Sequence, residues 1–166
     1  MGQIHPITPN LWFDTNAEEA VRFYVSVFPN SHVGAITHYT DEGFEVHGMR
    51  AGTVLTIEFE LNGQPFLALN GGPAFTFNEA ISFIINCGDQ AEVDHYWNKL
   101  GAGGDPKAQQ CGWVKDRFGL SWQVVPTALN EMLKHKDQGR RDRVMRAMLQ
   151  MKKLDLAALQ HAFEGR

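Results

Sequence analysis

Few residue types in this chain stand at spacings that chemistry uses, and the first to do so is a pair of carboxylates. Glu58 and Glu60 lie at i, i+2 within TVLTIEFEL. On an extended strand both side chains share a face, where mutual repulsion raises one pKa and suits it to proton transfer. The same alternation also describes a solvent-facing strand, and both readings stand. Glu79, just before an apolar run, is a second candidate base. Lys115-Asp116 beside Trp113 reads as a surface hairpin. Cys87 and Cys111 form no CxxC pattern, which excludes a disulfide framework and a four-thiolate metal site, and Cys111 has no evident His partner to activate it. The seven histidines, His5, His32, His38, His47, His95, His135 and His161, contain no HxH or HxxxH pair and read as surface or capped residues rather than ligands.

The elements that must position these groups follow from hydrophobic period. Ile7 to Phe13 is a short apolar strand, and Ala17 to Phe28 carries Ala20, Phe23, Tyr24, Val27 and Phe28 on one helical face, with Asn16 as the expected N-cap and Pro29-Asn30 as the stop. Val33 to Tyr39, Thr53 to Leu61 and Pro65 to Leu69 read as strands, the last two joined by an Asn62-Gly63 hairpin turn. In the middle strand Leu55, Ile57, Phe59 and Leu61 form the apolar face. Asp41 to Gly52 reads as an exposed loop. The pattern then repeats about 70 residues on: strand Ala80 to Asn86, helix Gln90 to Leu100, strands Gly112 to Lys115 and Leu120 to Val125, ended by Pro126. Helices are expected over Leu129 to His135, Arg140 to Met151 and Asp155 to Phe163, covering the core or a dimer contact.

A length of 166 residues with 43% hydrophobic and 20% charged residues fits one sizeable folded domain and excludes disorder. The net charge of −4 leaves no basic surplus to neutralise a phosphate backbone, so nucleic acid is not the expected partner. No apolar run reaches the roughly 18 residues of a membrane span, and the N-terminal residues lack a signal-peptide pattern. The expected location is cytoplasmic, without membrane association.

ITPNLWF followed by NAEEAVRFYVSVFPNS, then VLTIEFELNGQPFLALNGGPAFTFNEAISFIINC, QAEVDHYWNKL and CGWVKDRFGLSWQVVP, closely resemble the PhnB-like family, labelled 3-demethylubiquinone-9 3-methyltransferase. That family lies within the vicinal oxygen chelate superfamily of glyoxalases, bleomycin-resistance proteins and dioxygenases. The resemblance spans residues 5 to 163. It implies an α+β fold of two βαβββ modules, about 5–72 and 79–126, with a C-terminal helical extension at 127–166, paired around a cavity and commonly a homodimer. The methyltransferase label implies a methyl donor, yet such donors are usually held by a Gly-rich loop after the first strand of a parallel sheet, and here that strand ends in Phe13-Asp14-Thr15-Asn16-Ala17.

Superfamily enzymes hold a divalent ion with His and Glu on inward-facing strands, where it acts as a Lewis acid on vicinal oxygens. Setting Leu11 and Phe13 on the superfamily's first-strand pattern places Thr8 at the ligand position, and the equivalent strand of the second module places Ala80 there. The mid-chain position, within Phe66 to Leu69, carries no carboxylate, and the last falls on Gln123. The expectation is therefore no metal and no other cofactor. The alternative is a non-standard divalent site using Gln123 and, after a one-residue slip, Glu79.

A cavity implied by the resemblance would be lined by Thr8, Asn10, Trp12, Asn70, Ser82, Trp113 and Gln123. Such a lining suits a small, largely uncharged or planar ligand. The loop Asn70 to Glu79 carries Gly71-Gly72, which let the backbone approach something closely, and Phe75 and Phe77, which either close over a ligand or plug an interface. The leading expectation is a small-molecule-binding homodimer. The alternatives are a glyoxalase-like lyase, isomerase or dioxygenase with Glu79 or Glu58 as base, and, third, a methyltransferase.

Overall fold

The computed structural model describes residues 7–166. His5 and the expected start of the first module at residue 5 lie outside them. The chain divides into two compact units, one ending at Phe77 and the other spanning Asn78–Arg166.

In the first unit the elements are β1 (Asn10–Phe13), α1 (Ala17–Val27), β2 (His32–His38), α2 (Phe44–His47), β3 (Val54–Leu61) and β4 (Gln64–Asn70). The strands lie in the order β1-β4-β3-β2, with β1 parallel to β4 and the other pairs antiparallel. Helix α1 forms because Ala17, Ala20, Val21, Tyr24 and Val27 recur at helical spacing, and all five are buried. Their counterparts on the sheet are Leu11, Phe13, Ile57, Phe59, Phe66 and Ala68. Tyr24 stacks on Phe59 and Phe59 on Phe66, with ring centroids 6.5 and 5.3 Å apart.

Three local expectations change. Asn16 makes no capping bond with its side chain. Instead the Ala17 N–H donates to Asn70 Oδ1 at 2.9 Å, so the helix is capped from the end of β4. In β3 Val54, rather than Leu55, is buried, beside a register shift opposite His38. The loop from Asp41 to Gly52 contains the single turn α2, where His47 Nδ1 accepts from Met49 N and its ring lies 4.6 Å from that of Tyr39. The Asn62-Gly63 turn joins β3 to β4 with both residues at positive φ, 47° and 82°, the conformation that a two-residue hairpin needs.

The second unit contains β5 (Ser82–Cys87), α3 (Gln90–Gly101), a 3-10 turn at Pro106–Ala108, β6 (Trp113–Lys115), β7 (Ser121–Pro126), α4 (Thr127–Lys134), α5 (Gln138–Met148) and α6 (Leu156–Glu164). Its sheet order is β5-β7-β6, with β5 and β7 parallel. The second strand of the module is reduced to a bridge between Gln110 and Trp113. Glycines and Pro106 in the preceding GAGGDPKA stretch disfavour a longer strand there. Buried Asp116 organises the turn before β7: its carboxylate accepts from Phe118 N, Leu120 N and the Trp122 indole N–H at 2.8 to 3.1 Å.

The C-terminal helices enclose a core of Leu129, Met132, Val144, Leu154 and Leu159. Gln90 on α3 grips the segment before α6, donating to Leu154 O and accepting from Leu156 N. Met151 O and Lys152 O accept from Cys111 N and Gly112 N. Caps at Asp137 and Asp155 set the starts of α5 and α6.

Asn70→Ala strands the buried Ala17 N–H and Val54 carbonyl, both of which the native amide satisfies. At about 1–3 kcal/mol for each stranded group, urea denaturation should show a lower midpoint. Asn70→Asp keeps the acceptor for Ala17 but turns a second acceptor oxygen on the Val54 carbonyl, so it should also unfold at lower urea than the native chain, the more so once its carboxyl is ionised.

Candidate functional site

Strand register sorts the expected site residues by face. In the first unit one cross-strand row runs Asn10–Leu67–Glu58 and the next runs Trp12–Leu69–Thr56–Thr37. These side chains stand opposite Leu11, Ala68 and Ile57, which meet α1. Asn10, Trp12 and Glu58 therefore share the face turned away from the helix. Asn70 belongs to the opposite set, in register with Phe13. It is 2% exposed, and its amide is occupied by Ala17 N and Val54 O, so its role is to cap and clamp rather than to line a cavity. Thr8 is exposed and precedes β1. Glu58 is exposed and Glu60 half-buried.

Trp12 is held by the loop that follows β4. Its indole N–H donates to Gly72 O at 2.9 Å, and Phe75 packs edge-on to it with centroids 4.9 Å apart. A Cβ at Gly71 would fall within the Trp12 ring, so the close approach expected of Gly71-Gly72 is to this tryptophan. Phe77 meets Phe13 edge-on at 5.3 Å.

The second unit brings three expected residues together. Its rows are Ser82–Ser121–Lys115 and Ile84–Gln123–Trp113. Gln123 Nε2 donates to Ser82 Oγ at 2.9 Å, while Trp113 is half-buried in the adjoining row. The opposite face carries Phe83, Ile85, Val114, Trp122 and Val124 against α3, which makes Trp122 a core residue. Ser121 and Lys115 also stand on the site face. Counting back by two from Gln123 along β7 reaches Ser121, so strand alternation in the sequence already carries the signal for it.

Glu79 is not placed as a free base. Its carboxylate accepts from Lys115 Nζ at 2.6 Å, and the hydrogen bond and charge of that ammonium hold Glu79 below the usual carboxylate range. Cys87 is buried, and desolvation pushes its thiol up to about 12, so it is inert. Among the described residues no three His, Cys, Asp or Glu side chains converge to hold a metal ion. The donor set proposed for a non-standard site also fits an ion poorly, because Glu79 is already neutralised by an ammonium and Gln123 offers only a neutral amide.

The 3-demethylubiquinone-9 3-methyltransferase family model matches residues 5–125. The chain belongs to this PhnB-like family. The match ends before the C-terminal helices, which the sequence resemblance over residues 5 to 163 includes. Among solved structures the chain is similar to the PhnB protein from Bacillus cereus, at 33% identity and a TM-score of 0.62, over 74% of this chain and 99% of that one. It is also similar in fold to the protein PA1353 from Pseudomonas aeruginosa, at 23% identity and a TM-score of 0.53, over 71% of this chain and 94% of that one. No curated protein matches. The PhnB-like chain thus has the glyoxalase/bleomycin-resistance type of fold, built from βαβββ modules. Among the described residues no helix is long and apolar enough to cross a membrane.

Gly71→Ala should displace Trp12, cost about 1–3 kcal/mol as an overpacked contact and shift the tryptophan emission. Trp12→Phe should remove most of that spectral change.

Proposed function

We propose that this PhnB-like protein binds a small planar molecule on the polar and aromatic sheet faces, without a metal, and acts by binding or sequestering it. The observation that carries the reading is the face bearing Trp113, Gln123 and Ser82. There the amide-to-hydroxyl bond at 2.9 Å presents neutral hydrogen-bonding groups beside an indole, where an ion-binding site would need carboxylates or imidazoles. On the other unit, Asn10 and Trp12 offer a face of similar chemistry.

A homodimer accords with the edge strand β2, all seven residues of which are exposed, Val33 and Ile36 among them. A cytoplasmic location accords with two free cysteines. The methyltransferase reading draws no support from the β1–α1 turn, where the Ala17 N–H is already taken by Asn70 and the Asp14 carbonyl accepts from Gly72 N. A glyoxalase-like site that uses Glu79 requires an ion to displace Lys115 from it.

Untagged protein should carry no stoichiometric metal by plasma mass spectrometry and show no calorimetric binding of Ni, Zn, Mn or Fe(II). Planar ligands should quench tryptophan emission in the native chain and do so weakly in Trp113→Phe. Stoichiometric metal binding that vanishes in Gln123→Ala or Glu79→Ala would overturn the proposal in favour of the metal-dependent alternative.

A further inference from the structure

We infer that Trp12 and Phe75 form an aromatic clamp for a flat, uncharged ring, and that residues 73–76 are the strap that lets the ring in. The inference rests on the small-molecule reading above and names the residues that select for flatness.

Trp12 is half-buried on the face of the first sheet turned away from α1, where its neighbours Leu67 and Leu69 are half-buried too. A Cβ at Gly71 would meet indole Cζ2, Cε2 and Cη2 together, so this glycine lies flat against the ring. The indole N–H is tied to Gly72 O at 2.9 Å. Trp12 is therefore fixed in place, and Phe75 is the second ring against it, edge-on with centroids 4.9 Å apart.

Phe75 is held by little else. It is 66% exposed, and among the described residues the exposed stretch 73–76 makes no backbone hydrogen bond. Both ends of that stretch are anchored. Gly72 N donates to Asp14 O, and Phe77 packs edge-on against buried Phe13. Gly72 has a φ of 88° and open space where a Cβ would stand, which suits a hinge. A segment fixed at its ends and unbonded between them opens at low cost. Of the two phenylalanines in this loop, Phe77 is the anchor and Phe75 the cover.

A flat ring placed between Trp12 and Phe75 makes aromatic contact on both of its faces. Two such contacts at roughly 3.5 Å each set the outer rings about 7 Å apart, so Phe75 moves outward by about 2 Å and turns flat. Four unbonded residues supply that slack. A puckered ring is thicker and offers no π face. Asn10, exposed two residues before Trp12 on the same face, offers its amide to a carbonyl or amide substituent, while Glu58 in the same row disfavours an anion.

The test is calorimetric titration of the full chain with benzamide and its puckered counterpart cyclohexanecarboxamide, with amide hydrogen exchange read at Ala74, Phe75 and Thr76. Benzamide should bind at least about fivefold more tightly, and the three amides should exchange fast in the free chain and slow at saturation. Phe75→Ala should weaken benzamide about fivefold and narrow the preference while melting as the native chain does, and Phe75→Tyr should restore both. A Phe75→Ala protein that binds benzamide as tightly as the native one, or exchange at residues 74–76 that saturation leaves unchanged, would overturn the inference. If benzamide keeps its preference in Phe75→Ala and loses it in Trp113→Phe, the planar-ligand reading stands and the clamp falls. If neither amide nor any other planar ligand binds the native chain, both fall.

Discussion

Each sheet is fixed at one end by a buried polar side chain that satisfies groups which would otherwise be stranded. Asn70 closes the first unit, accepting from the first N–H of α1 and donating to the Val54 carbonyl. Asp116 closes the turn into β7, accepting two backbone N–H bonds and the indole N–H of Trp122. A strand displaced by one residue would expose these groups to a dry interior without partners, in addition to turning every side chain to the wrong face. The composition of the sheet faces turned away from the helices depends on this restraint. Trp12 and Asn10 stand away from α1 because Phe13 and Leu11 face it, and Gln123 stands away from α3 because Trp122 is tied inward.

The C-terminal helices lie beyond the residues matched by the family model, yet they are integrated into the second unit. Their apolar residues form a core, and the intervening segment supplies backbone acceptors to Cys111 and Gly112 and is held by both ends of the Gln90 amide. These bonds fall where the second strand of the module has shrunk to a bridge. Residues 151 and 152 thus satisfy backbone N–H groups at an edge that a longer strand would otherwise have paired.

Chemically, the two site faces differ from those of a metal enzyme in the kind of group they present. Amide, hydroxyl and indole groups recognise acceptor atoms and flat surfaces, and the charged pair nearby is internally neutralised. Such groups fix orientation without polarising a substrate as a Lewis acid would.

Period and turn chemistry were enough to read most elements from the amino-acid order. The 3.6-residue recurrence along α1, the alternation in β3 and the Asn62-Gly63 turn are local properties that each segment carries with it. What required the tertiary structure was partnership at long range. Asn16 had the right type for a cap, but Asn70, 53 positions from Ala17, takes its place. Glu79 had the type of a base, but Lys115, 36 positions away, takes up its charge. Ser121 shows no local sign of being special, and only pairing with both neighbouring strands reveals an enclosed hydroxyl without a partner. A residue's type restricts which bonds it can make, and the folded chain decides which groups come within reach to make them.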